Sequence, residues 1–330
     1  MPYIDQSGYE PPFIFRNAHL NTLYAALGRK VKGVAFRRER LTTPDGDFID
    51  LDWSEVGSSR LLILLHGLEG NSGRPYILGM TRVFNAQGWD VAALNFRGCS
   101  GQPNLLPRSY HIGDTGDLRQ VVHHVLNRGA HRQVALSGFS LGGNVILKFL
   151  GEDPDAVPGE ICAAAVFSVP CDIATASVEI DKWENRLYRW RFMRSLNAKM
   201  SRKAELWPDL VKMPTAKPRH FRDFDNYFTA PLHGFADAHD YWTRCGSISF
   251  ISRIRVPALM VNAQDDTFLS PACYPVEIAE KHPLFYLETP AYGGHVGFVT
   301  SSRDGVYWSE RRAWKFISAQ ARDIGIEHRQ

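Results

Sequence analysis

The chain has 330 residues, enough for one large α/β domain with an insertion or for two modest domains. Hydrophobic residues make up 44% and charged residues 22%, which excludes a disordered chain, and a formal charge of +3 excludes the strongly basic surface of a nucleic-acid binder. Cys99, Cys162, Cys171, Cys245 and Cys273 are scattered, none in a CxxC pair, which points to a reducing compartment and no zinc site. The start, MPYIDQSGYEPPF, lacks the basic-then-apolar order of a secretory leader, and LLILL at 61–65 is far shorter than the roughly 20 apolar residues of a membrane span. The expectation is a soluble, cytoplasmic protein.

In chain order, residues 1–35 read as an N-terminal arm. RRERLTTPDGDFIDLDW at 37–53 predicts two strands joined by the turn Pro44-Asp45-Gly46. LLILLH at 61–66 is a continuous apolar run, the mark of a strand covered on both faces. A helix over 75–87 follows, then a strand at 90–96, a helix over 114–127 with Asp114 or Thr115 as cap, a strand at 133–138 and a helix in LGGNVILKFLG. AAAVFSV at 163–169 is a further strand. Residues 171–255, rich in Trp, Tyr, Arg and Pro, show helical pieces and no long β-run. PALMVNA at 257–263 restores a strand, followed by a helix at 271–282, a strand at 285–290 and a helix at 306–322. Alternating strands and helices predict a mostly parallel sheet with helices on both faces, here a core of 36–170 and 256–330 interrupted by a helical insertion at 171–255. The carboxyl ends of its strands gather at one edge, where α/β sites form.

At that edge stands Gly138-Phe139-Ser140-Leu141-Gly142. A strand that turns sharply into a helix exposes a serine hydroxyl on a rigid, strained backbone, and the close approach requires small residues two before and two after it. A hydroxyl needs a base and an orienting acid to act as a nucleophile. In this topology the chain order is serine, acid, histidine. VNAQDDTFLSP at 261–271 offers Asp265 and Asp266, both acceptable by position, and ETPAYGGHVGF at 288–298 places His295 in a small-residue loop after a strand. An oxyanion hole would take the Leu141 N–H and, from the loop His66-Gly67-Leu68-Glu69-Gly70, the Leu68 N–H. His66 is expected to brace that loop and Glu69 to pair with a local donor. Serine at 140 points away from the aspartate nucleophiles of epoxide hydrolases and dehalogenases, and the presence of all three residue types points away from a non-catalytic scaffold.

The insertion lies where it would roof Ser140 as a lid. Trp183, Tyr188, Trp190, Phe192, Met193, Leu196 and Trp207 suit an apolar acyl pocket, with Trp190, Phe192 and Met193 as candidate substrate contacts. RLYRWRFMRSLNAKMSRK at 186–203 carries seven basic residues and no acidic one, and Leu187, Trp190, Met193, Leu196 and Met200 recur at helical steps. That pattern fits a basic amphipathic helix with weak membrane-surface contact, or a solvated charged face packed on the sheet.

The stretches RNAHLNTLYAAL, LLHGLEGNS, NFRGCSG, YHIGDTGDL, GFSLGGN, FDNYFTAPLHGFADAHDYW, NAQDDTFL and GGHVGF resemble the YheT-like branch of the α/β-hydrolases nearly end to end. The resemblance implies the α/β-hydrolase fold and assigns the triad to Ser140, Asp266 and His295, selecting the second aspartate. Asn21 departs from the Gln more usual after His-Leu, which bears on a contact of the N-terminal arm only. The implied activity is a serine carboxylesterase acting on short- to medium-chain acyl esters, with acyl transfer to alcohols or phospholipase and lipase activity as alternatives on the same residues. No cofactor and no metal is called for, and the expected partner is a small-molecule acyl ester.

Overall fold

The computed structural model describes residues 2–321. After β1 (Tyr3–Ile4) come a 3-10 turn at Phe13–Arg16 and α1 (Ala18–Leu23). The core then runs β2 (Arg37–Thr42), β3 (Phe48–Ser54), β4 (Arg60–Leu65), α2 (Pro75–Ala86), β5 (Asp90–Asn95), α3 (Gly116–Asn127), β6 (Gln133–Phe139), α4 (Leu141–Glu152) and β7 (Ile161–Phe167). Between β7 and the next strand lie α5 (Ile173–Ile180), α6 (Arg186–Leu206), α7 (Phe221–Phe224), α8 (Ala230–His233) and α9 (Ala238–Cys245), with no strand among the described residues. β8 (Ala258–Val261), α10 (Val276–Lys281), β9 (Phe285–Glu288) and α11 (Trp308–Gln320) close the fold.

The sheet order is β1-β9-β8-β7-β6-β4-β5-β3-β2, and β3 alone runs against its neighbours. The apolar run of β4 shows why the central strands need no polar face. Leu61, Ile63 and Leu65 join one apolar cluster and Leu62 and Leu64 another, because alternate side chains leave opposite faces of the sheet. All five are fully buried. Among the described residues no helix is long and apolar enough to cross a membrane.

Three local expectations change. The helix expected at 271–282 is split into a 3-10 turn at Pro271–Cys273 and the shorter α10, because Pro275 has no N–H and disfavours helical backbone before it. Thr115 occupies the N-cap position of α3 but its hydroxyl goes to Glu152, while Asp114 holds Arg108, so neither side chain caps the helix. The arm is more than a tail, since β1 pairs in parallel with β9 as an edge strand. The final helix ends at Gln320, and Arg322, at the end of its expected span, lies outside the described residues.

Candidate active site

The loops after β4, β6, β8 and β9, at the carboxyl edge of the sheet, build the site. Ser140 sits between β6 and α4 at φ 52° and ψ −118°, with its N–H bonded to the Phe167 carbonyl at 2.8 Å. The flanking glycines are a steric requirement: a Cβ on Gly138 would stand 2.7 Å from the Gly142 backbone, and one on Gly142 would stand 2.6 Å from the Leu65 carbonyl. Ser140 Oγ is 2.9 Å from His295 Nε2. His295 Nδ1 is 2.9 Å from Asp266 Oδ2 and 3.1 Å from Oδ1, and its ring stacks on Phe268 at 4.2 Å between centroids. The Asp266 side chain is wholly buried and accepts the Phe268 N–H. The structure therefore brings Ser140, His295 and Asp266 into one chain of hydrogen bonds. Asp265 turns the other way, with Oδ1 accepting the Gly294 N–H and Oδ2 unpartnered; burial, with the nearby Asp266 adding to it, raises its carboxyl to about 6.

The loop after β4 lies against the serine: a Cβ on Gly67 would be 3.3 Å from the Ser140 Cβ. The Leu68 and Leu141 N–H groups donate to no acceptor among the described residues. His66 braces this loop as expected. Its Nε2 accepts the Phe96 N–H, so Nδ1 carries the proton and donates to the Gly67 carbonyl at 2.7 Å. Full burial drives the imidazole down to about 4, so it stays neutral. Glu69, at φ 54°, finds more than a local donor. Its carboxylate takes the Tyr110 hydroxyl, the Ser195 hydroxyl and, at 2.7 Å, the Lys199 ammonium. Burial works against its charge, but Lys199 and the two hydroxyls hold it below its usual value. Ser195 and Lys199 belong to α6, so one buried carboxylate ties the insertion to the loop bearing Leu68.

A cavity of about 520 Å³ opens beside Ser140 and His295, between the sheet edge and the insertion. Ile173, Ile180, Phe192, Leu196, Met200 and Phe224 give it an apolar lining. Of the three expected substrate contacts, only Phe192 lines it. Trp190 is 61% exposed on the outer side of α6, and Met193 packs beneath the helix with Met200, Val211, Phe224 and Phe228. The reason is angular: at about 100° per residue, Trp190 points nearly opposite to Phe192, whereas Leu196, Lys199 and Lys203 share its side.

The N-terminal arm reaches the site: Thr22 is not singled out by the sequence, and Asn21, expected to bear on the arm only, also holds the loop after His295. Thr22 Oγ1 accepts the His295 N–H at 2.9 Å, and buried Asn21 accepts the Val299 N–H while donating to Tyr9 and to the Phe15 carbonyl. GGHVGF is glycine-rich because α1 seats on it: a Cβ on Gly294 would meet the Ala18 carbonyl at 2.5 Å, and one on Gly297 would meet Asn21 Oδ1 at 2.3 Å. The motif RNAHLNTL was the available signal, but nothing local in it names a partner about 270 residues away.

Strand order, the strained serine turn and the roofed cavity define a hydrolase of the α/β fold, and a family model described as "alpha/beta hydrolase fold" matches residues 60–302. The chain belongs to that family, in its YheT-like branch. It is 34% identical over 292 residues to YheT of Escherichia coli (strain K12), covering 86% of this chain and 85% of that protein. It is 31% identical over 277 residues to phospholipase ABHD3 of Mus musculus, covering 81% and 67%. The Pyrococcus furiosus esterase Pf2001 shares the fold at a TM-score of 0.60 and 17% identity, over 95% of this chain and 99% of that one. The chain is thus an α/β-fold hydrolase with esterases and a phospholipase among its relatives.

Proposed function

We propose that this protein is a serine carboxylesterase that hydrolyses short- to medium-chain acyl esters through an acyl-Ser140 intermediate. One observation carries the reading: Ser140 Oγ, His295 Nε2 and, through Nδ1, Asp266 form a continuous relay beside an apolar cavity. Ser140 Oγ attacks the ester carbonyl carbon as His295 Nε2 takes its proton. Asp266 fixes the tautomer that leaves Nε2 free and stabilises the imidazolium. The oxyanion forms against the Leu68 and Leu141 N–H groups, the latter at the positive end of α4. Collapse breaks the carbon–oxygen bond to the alkoxide, which leaves as the alcohol with the proton from His295. Water, deprotonated by His295, then attacks the acyl-enzyme, releasing the acid and restoring Ser140. The acyl chain occupies the cavity under α6. Relatives named as a phospholipase and a monoacylglycerol lipase support extending this reading to lipid-derived esters.

Ser140→Ala should abolish turnover of p-nitrophenyl butyrate with an unchanged circular dichroism spectrum, and a fluorophosphonate should label the parent on Ser140 by peptide mass spectrometry. Turnover surviving in the variant, or a label elsewhere, overturns the assignment.

A further inference from the structure

A second cleft, of about 580 Å³, lies on the side of α6 turned away from Ser140, between that helix and the segment Lys217–His220. Arg186, Arg189, Arg194, Lys217 and Arg219 line it. Arg189 contacts Asp181, and His220 Nδ1 lies 3.4 Å from the same carboxylate. Arg186, Arg194, Lys217 and Arg219 form no ion pair among the described residues. Four uncompensated cations in one concavity make a field that attracts an anion. The cleft also holds an unpartnered acceptor. Asn197 lines it at 6% exposure; its amide donates to the Met193 and Pro218 carbonyls, while its Oδ1 has no partner.

The seven basic residues of 186–203 do not act as one face. Lys199 turns inward to Glu69, and Lys203 to the Leu106 and Arg108 carbonyls. What remains outside is a mixed patch. Arg186, Leu187, Trp190 and Arg194 fall on one side of the helix by their three- and four-residue steps. Leu187 is 67% and Trp190 61% exposed, and Trp183, in the turn before the helix, is 76% exposed. The Arg186 guanidinium lies 4.1 Å from the Trp183 ring centroid and that of Arg194 5.5 Å from Trp190. Exposed indoles and a leucine interleaved with unpaired arginines suit the boundary between lipid headgroups and acyl chains. A soluble phosphate would satisfy the cations and leave the indoles in water.

We propose that this cleft binds the phosphate groups of an anionic lipid surface, with Trp183, Leu187 and Trp190 entering the interface beside it. Binding is read without turnover, so this assignment and the esterase reading stand or fall separately.

The full-length protein is sedimented with vesicles of phosphatidylcholine alone and of phosphatidylcholine mixed with phosphatidylglycerol, at low and high salt. Co-sedimentation with the anionic vesicles only, weakened by salt and accompanied by a blue shift of tryptophan emission, is expected. Arg194→Glu with Arg219→Glu should lower the partition at least about tenfold, since each cation near an anionic surface contributes about fivefold. Arg132→Glu with Arg253→Glu makes the same change in net charge before β6 and β8, at the far edge of the sheet, and should leave the partition unchanged. Trp190→Ser should weaken binding with the cations intact, which keeps the test open if the charge-reversed variant melts early by circular dichroism. Absence of sedimentation, equal loss in both charge-reversed pairs, or saturable binding of soluble glycerophosphate without vesicle binding each overturns the proposal.

Discussion

Asp265 and Asp266 are neighbours in one loop, yet their carboxylates meet different partners: Asp266 the His295 imidazole, Asp265 the Gly294 backbone. Asp266→Asn should therefore lower kcat for p-nitrophenyl butyrate by about 10⁴-fold through the wrong imidazole tautomer, and Asp265→Asn by much less. Steady-state kinetics of the two variants checks this, and the reverse order would reassign the acid. Asp265 also has a signature in stability. Its carboxyl is raised to about 6, above the roughly 3.9 of an unfolded chain, so the folded state binds the proton more tightly. Its contribution is fully present below about pH 4 and lost as pH rises through about 6. Asp265→Asn should flatten that fall in urea-midpoint measurements, and an unchanged slope over this window would refute it. All five non-glycine residues of positive φ among the described residues, Glu69, Ser140, Ser168, Val296 and Phe298, stand in the loops at this edge. Backbone strain held in place by surrounding bonds is what a pre-organised site requires.

Helix α6 presents different chemistry on each side. One side lines the cavity through Phe192 and Leu196, another buries Met193 among apolar neighbours, and the outer one carries Trp190 and the unpaired arginines. Through Lys199 and Ser195 it also grips Glu69, the residue after Leu68. Lys199→Met leaves a buried carboxylate without its cation, so the Leu68 loop should shift and kcat fall by about 10- to 100-fold, part of what losing one oxyanion donor costs. Adding Glu69→Gln removes the stranded charge and should recover part of the loss. A double-mutant cycle on kcat with no coupling between the two sites would show that the bridge does not position the loop.

Over the whole molecule, the sheet gathers the loops of the site at one edge and the insertion closes a cavity above them. If the acyl chain fills that cavity, kcat/KM should rise from p-nitrophenyl acetate through butyrate to octanoate, by up to about fourfold for each buried methylene, equivalent to about 0.8 kcal/mol. The rise should stop at the chain length that the cavity no longer accommodates. A series that peaks at acetate would remove the cavity from the acyl-binding role.

Much of this was legible in the sequence because it is local. An unbroken apolar run made β4 readable as a strand covered on both faces, and G-F-S-L-G declares its strained turn through the two glycines that sterics demand. His66 was readable as a brace for a similar reason, standing one residue from the carbonyl it holds. The adjacent aspartates were not separable by spacing, since either reaches the right loop; the family resemblance selected Asp266, and the orientation of the two carboxylates agrees with it. Nor did periodicity tell which side of α6 faces the cavity, because an amphipathic pattern shows that a helix is buried on one side, not which neighbour buries it. Thr22 went unread, and Asn21 was read as a contact of the arm only, because the partners that tie them to the site lie about 270 residues onward. The sequence by itself determined the elements, their order and the chemical types at the sheet edge, since those depend on short-range sterics and burial. The tertiary structure alone decided what Glu69 holds, which side of α6 faces the cavity and which cations stay unpaired, because those are contacts between segments whose separation no local pattern records.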